Sequence, residues 1–202
     1  MKTTIKISLL STGFAILALP VVAQTTNATP VTRQSIQDRK ENQQDRIANG
    51  VASGQLTAGE TSNLEKKESN LNKEERDMRS LNKGKLTKDD KATLNQQQNQ
   101  LSRQIYQDKH NSAVQNTNPK SEVGTRAENQ QDRIAQGIKS GQLTAGEASH
   151  LENKEAKINR EVRNDRAANG GKLTSHEKAQ VNRQQNKTSR QIYRDKHNGR
   201  RQ

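Results

Sequence analysis

Apolar residues are sparse along this chain, and past residue 35 they return at helical intervals. Ile36, Ile47 and Val51 fall on one face of a helix, and so do Val123, Ile134 and Ile138. Leu64, Leu71 and Met78 recur at a spacing of seven, with Leu151, Ile158 and Val162 following approximately. Leu94, Leu101 and Ile105 line a third stripe. These stripes have the width of an antiparallel coiled-coil seam, not of a broad globular face. The stripes are punctuated by Gly-x-Leu-Thr, at Gly54, Gly84, Gly141 and Gly171. Three residues after each Thr stands an acid: Glu60, Asp90, Glu147 and Glu177. Thr-x-x-Glu is the reciprocal capping pattern of a helix start. A glycine just before it suits the left-handed end of the preceding helix. Each motif therefore reads as stop, turn and start. The pattern predicts helices over about 35–50, 58–81, 88–109, 122–137, 145–168 and 175–196.

The helices come in a duplicated set. Residues 41–112 align without a gap on 128–199, with 46 of 72 positions identical. "ENQQDRIA" recurs at Glu41 and Glu128, "SGQLTAGE" at Ser53 and Ser140, and "SRQIY" with a following "DKHN" at Ser102 and Ser189. The expected fold is all-α: two tandem copies of a helix-turn-helix-turn-helix unit, 35–111 and 122–198, forming elongated helical hairpins. Residues 112–121, with Pro119 inside, are expected to be a flexible linker, and 199–202 a basic tail.

The first residues are of a different kind. Lys2 and Lys6 precede an apolar run, Ile7 to Leu19, and then Pro20 and Val21-Val22-Ala23 before Gln24. This is the layout of a secretory signal peptide, 1–23, with cleavage near Ala23, and the run is short for a membrane span. Residues 24–34 form a Thr/Asn/Pro tail expected to be disordered. The expected destination is a periplasm or the exterior, reached without disulfides, since the chain has no cysteine.

Composition narrows the function classes. Apolar residues make up only 27% of the chain, and beyond residue 23 Leu, Ile and Val number 23. Such a chain can hardly wall a large enclosed pocket. There is no cysteine nucleophile, no Gly-x-Ser-x-Gly elbow and no Gly-rich phosphate loop. Carboxylates alternate with Lys and Arg, as on solvated helix faces. No enzyme, cofactor or metal is expected. The turns resemble the second half of an EF-hand loop, Gly54 taking the sixth place and Glu60 the twelfth, so a degenerate calcium binder is one alternative. The first, third and fifth places, however, hold Asn49, Val51 and Ser53, and in the second loop Arg79, Leu81 and Lys83. A calcium ion needs six to eight oxygens. His110 and His197 each follow an aspartate by two residues, Asp108 and Asp195. That is half a transition-metal site at most, and it equally suits the last turn of a helix.

The phrase Leu-Thr-x-x-Glu, at Leu56-Thr57, Leu86-Thr87, Leu143-Thr144 and Leu173-Thr174, also resembles the "LTxxQ" motif of the small periplasmic chaperones and stress sensors of the Spy and CpxP type. Here an acid replaces the Gln. That resemblance implies a holdase-type chaperone or stress sensor.

Charge supplies the leading functional expectation. The formal net charge is +13, and +11 once Lys2 and Lys6 are removed. Residues 35–111 carry a net +2, and residues 122–202 a net +7. The excess concentrates in the last helix, where Arg183, Lys187, Arg190 and Arg194 step by four, three and four. At 100° per residue they form one ridge, opposite Val181 and Ile192. Their counterparts Gln96, Gln100, Arg103 and Gln107 are largely neutral. A basic ridge, with Tyr193 flanking it, suits an anionic partner such as envelope lipid or polysaccharide. Non-specific nucleic-acid contact is expected at low salt. Self-association through the Leu stripes is a further expectation. The chain thus reads as an exported, non-enzymatic helical repeat protein that binds or scaffolds anionic envelope or extracellular material.

Overall fold

A computed structural model describes residues 35–116 and 120–201. The signal segment, the 24–34 tail and positions 117–119 of the linker lie outside them. Within the described residues the protein is all-helical: α1 (Ile36–Ala52), α2 (Ala58–Leu81), α3 (Lys88–His110), α4 (Glu122–Lys139), α5 (Ala145–Ala168) and α6 (Ser175–Lys196). None of these helices is long and apolar enough to cross a membrane.

The boundaries follow from the turn chemistry. Thr57, Thr87, Thr144 and Thr174 each cap a helix, with the hydroxyl accepting from the backbone N–H three residues on. In return the carboxylates of Glu60, Asp90, Glu147 and Glu177 accept from the four threonine N–H groups. Ser35 and Asp38 make a fifth such box. Ser121 caps α4 alone, because the residue three positions on is Gly124. Gly54, Gly84, Gly141 and Gly171 all take positive φ, as the stop signals require.

The two interior glycines Gly50 and Gly137 have another role. The turn leucines Leu56 and Leu143 fold back over α1 and α4 and are wholly buried. A Cβ on either glycine would sit 2.6 Å from the leucine Cδ1. Helix-weakening glycines are thus the condition for a leucine to close each first turn. The turn backbone agrees, with Leu56 N–H bonding Gly50 O and Leu143 N–H bonding Gly137 O, both at 3.0 Å.

The most extensive helix pairings run between the duplicated halves: α2 packs on α5 and α1 on α4. Ser62 meets its own repeat counterpart Ser149. Each hydroxyl donates to the other's backbone carbonyl, at 2.9 and 2.8 Å. Ser69 lies against Gly146, so α2 and α5 run antiparallel about a local twofold axis through the serine pair. One apolar cluster spans both halves, joining Ile47, Val51, Leu64 and Ile105 to Ile134, Ile138, Leu151 and Ile192. A smaller one holds Val123, Ile158, Val162 and Val181. Of the stripe leucines, Leu64, Leu94, Leu101 and Leu151 are buried within the fold, and Leu71 is partly buried against it. At the far end of α2, beyond the stripe, Leu81 is 84% exposed.

The start of the expected flexible linker is held. Gln115 N–H donates to Gly54 O at 2.9 Å, and the Gln115 side-chain oxygen accepts from Ala58 N–H at 3.0 Å. The 112–116 segment is therefore strapped over the α1–α2 turn.

Two substitutions test these local statements by thermal or urea unfolding. Lys83 is the one non-glycine at positive φ among the described residues, and its repeat counterpart is Gly170. A left-handed non-glycine residue is strained by ~1 kcal/mol, so Lys83→Gly is expected to stabilise by roughly 0.5 kcal/mol after the entropy it adds to the unfolded chain. Gly137→Ala is expected to destabilise by about 1–3 kcal/mol through its clash with Leu143.

Candidate functional site

Two features stand out for their chemistry, one on the surface and one inside. On the surface, Arg183, Lys187, Arg190 and Arg194 are all exposed on the outer face of α6. Val181 and Ile192 are fully buried on the opposite face. At a 1.5 Å rise per residue the ridge is about 16 Å long. None of the four cations makes an ion pair among the described residues. The salt bridges there are Lys73–Asp77, Arg79–Glu75, Lys178–Glu122 and Arg200–Glu147. Arg194 donates to its neighbour Gln191 at 2.6 Å. Tyr193 is 62% exposed beside the ridge, with its ring stacked on His197.

The sequence motifs that invited metal readings are accounted for by structural contacts. His110 and His197 place Nδ1 against the carbonyls of Tyr106 and Tyr193, at 2.7 and 2.6 Å. Asp108 and Asp195 accept from Gln104 and Gln191. Glu60 and Glu147, the would-be calcium ligands, cap their helices and accept from Asn111 and Asn198, both at 2.7 Å. The repeated "DKHN" thus ends each third helix with an asparagine strap back to the second. Among the described residues no group of three or more metal-ligating side chains comes together.

The interior feature overturns the expectation that the carboxylates occupy solvated faces. Glu65 and Glu68 of α2, and Glu152 and Glu155 of α5, are buried at 0–1% exposure, and Glu65 and Glu152 bear on each other across the pairing of these two helices. Gln44 of α1 donates to Glu65 at 3.3 Å, and Gln131 of α4 donates to Glu152 at 3.0 Å, by repeat equivalence. Glu65 Oε1, Glu68 Oε2, Glu152 Oε1 and both oxygens of Glu155 have no hydrogen-bond partner. A buried, unpartnered carboxylate is costly to ionise. Burial pushes Glu152 and Glu155 up to about 8 and Glu68 up to about 7, and it raises Glu65 well above the usual carboxylate range. The neighbouring charge of Glu68 and, more weakly, of Glu152 lifts Glu65 further. Lys40 of α1 is why Glu68 stands lower than its counterpart: its ammonium favours the charged form. The residue equivalent to Lys40 is Ala127, so Glu155 has no such relief. The signal was present in the sequence. Glu68 stands four residues after Leu64 and three before Leu71, inside the apolar stripe, and Glu155 repeats this between Leu151 and Ile158.

Lys40→Ala is expected to raise the Glu68 pKa from about 7 toward the value of about 8 held by Glu155. Carbon-detected NMR titration of the glutamate carboxyls reads this directly. No family of proteins, no curated protein and no solved structure matches the chain.

Proposed function

We propose that the protein is an exported, non-enzymatic binding or scaffold protein for anionic envelope or extracellular material. In this reading two copies of a three-helix unit, 35–111 and 122–198, are joined through 112–121 and present the outer face of α6 to the partner. The observation that carries it is the row Arg183, Lys187, Arg190 and Arg194, exposed and without ion pairs among the described residues, on only one of the two equivalent helices. Long-range attraction to a polyanion needs such unneutralised charge. A lysine or arginine near an anionic membrane surface contributes about 1 kcal/mol. A lipid headgroup layer and an acidic polysaccharide share the recognising chemistry, and non-specific nucleic-acid contact at low salt follows from the same charge.

The test is binding of the chain beyond residue 23 to phosphatidylglycerol vesicles, neutral vesicles and an acidic polysaccharide, at low and at physiological salt. The triple variant Arg183→Glu, Lys187→Glu and Arg190→Glu is expected to weaken anionic binding by roughly 100-fold or more and to remove its salt dependence. Unchanged binding overturns the reading. Binding by the variant at Gln96, Gln100 and Gln107, each changed to Arg, is expected to exceed that of the wild type.

A second reading, a periplasmic holdase or stress sensor, is supported by an open groove of about 470 Å³ between α2 and α3, floored by Leu71 and Leu101 and rimmed by Lys67, Glu74 and Gln104. It requires that the protein suppress aggregation of an unfolded client near equimolar ratio. No suppression at about tenfold excess excludes it.

A further inference from the structure

The buried carboxyls of α2 and α5 lie apart from the α6 ridge, and the polyanion reading makes no use of them. They straddle the Ser62–Ser149 pair, where the two duplicated halves meet most extensively. The groups that bear on them can be named helix by helix. Glu65 faces Glu68 on its own helix, Gln44 of α1 and Glu152 of α5. Glu68 faces Lys40 of α1 and Glu75 of its own helix. Glu152 faces Gln131 of α4 and Glu155 of its own helix, and no charged group relieves Glu155. Among the described residues Lys40 is therefore the one cation that bears on the four, and none of the charged groups that do so belongs to α3 or α6.

In the neutral state such a seam is close-packed and tolerable. Once ionised, Glu65 and Glu152 would set like charges against each other across the seam, each beside a second buried acid of its own helix, with five carboxyl oxygens lacking any donor. We propose that the seam between α2 and α5 is a proton-held latch: it stays closed while Glu65, Glu68, Glu152 and Glu155 carry protons, and it loosens as the medium turns from mildly acidic to alkaline. The direction is the reverse of ordinary acid denaturation. These groups bind protons in the folded state that the unfolded chain, at the usual value of 4.5, has already released. Their contribution to stability is fully present below that value. It is lost as pH rises through about 7 to about 8. Loosening would uncover Leu64 and Leu151, which flank the acids and are wholly buried in the closed state.

The experiment is a set of circular-dichroism melts of the full chain between about pH 5.5 and about pH 9, beside the variant Glu65→Gln/Glu68→Gln/Glu152→Gln/Glu155→Gln, which mimics the protonated seam. The wild-type Tm is expected to fall by about 10 °C or more across this range, while the variant stays level and melts higher than the wild type at the alkaline end. A level or rising wild-type Tm, or a variant that falls as steeply, overturns the latch. Should the variant not fold, the wild type decides alone. Infrared spectra are expected to show a protonated-carboxyl C=O band near pH 6 that disappears by about pH 9, with amide exchange in α2 and α5 accelerating over the same interval. Absence of that band at pH 6, or its loss without faster exchange, overturns the proposal equally.

Discussion

The fold depends on how closely α2 and α5 approach each other. At their crossing Ser62 and Ser149 exchange hydroxyl-to-carbonyl hydrogen bonds, and Ser69 lies against Gly146. Only small side chains allow two helix backbones to bond through a single hydroxyl. Bulk there would part the helices and open the cluster that joins Ile47 and Leu64 to Ile134 and Leu151. In a chain with so few apolar residues, neither half has a second core of similar size to fall back on. The pairing of equivalent residues across a local twofold axis is how a short hydrophobic supply is made to serve both halves.

Much of the remaining interior is amide. Gln43 and Gln130 donate to the backbone carbonyls of Gln98 and Gln185, both at 2.7 Å, and Gln98 and Gln185 donate in turn to the carbonyls of Ile36 and Val123, both at 2.9 Å. These ties lock α1 to α3 and α4 to α6 by geometry more than by area. Hydrogen bonds of this kind contribute about 1 kcal/mol each, but they demand a particular register. The carbonyl oxygens of the same glutamines stay buried without donors, so each amide satisfies the helix it binds at some expense to itself. The interior is therefore specified by polar matching, and the carboxyl seam is its extreme case.

The helices themselves were legible because their signals are local. Thr57 with Glu60 and Thr144 with Glu147 sit within one turn of each other, as do Gly54 and Gly141 with the helices they end, so the residue string alone carries the mark. The outward placement of Arg183, Lys187, Arg190 and Arg194 was legible for the same reason: a helix of known start has a computable face. What escaped was everything that spans the repeat distance. Ser62 and Ser149 are 87 residues apart and look like ordinary surface serines. Glu65 and Glu68 stand among lysines, in "LEKKES", and local charge balance reads them as solvated. Only the partner helix makes that face an inside face. The strap at Gln115 escaped too, because a lone glutamine in a polar connector carries no sign of what it will bond.

The pairing of like with like at the Ser62–Ser149 axis has a consequence for variation. A symmetric dimer of one short chain would have to accept every substitution on both sides of its axis at once. Tandem fusion removes that obligation. Lys40 beside Glu68, where the second copy has Ala127, is an asymmetry no identical pair of subunits could hold, and the basic row of α6 against the largely neutral row of α3 is another. Duplication here separates two duties that a single short chain would have to combine: one copy can drift toward a new surface while the other keeps the original fit.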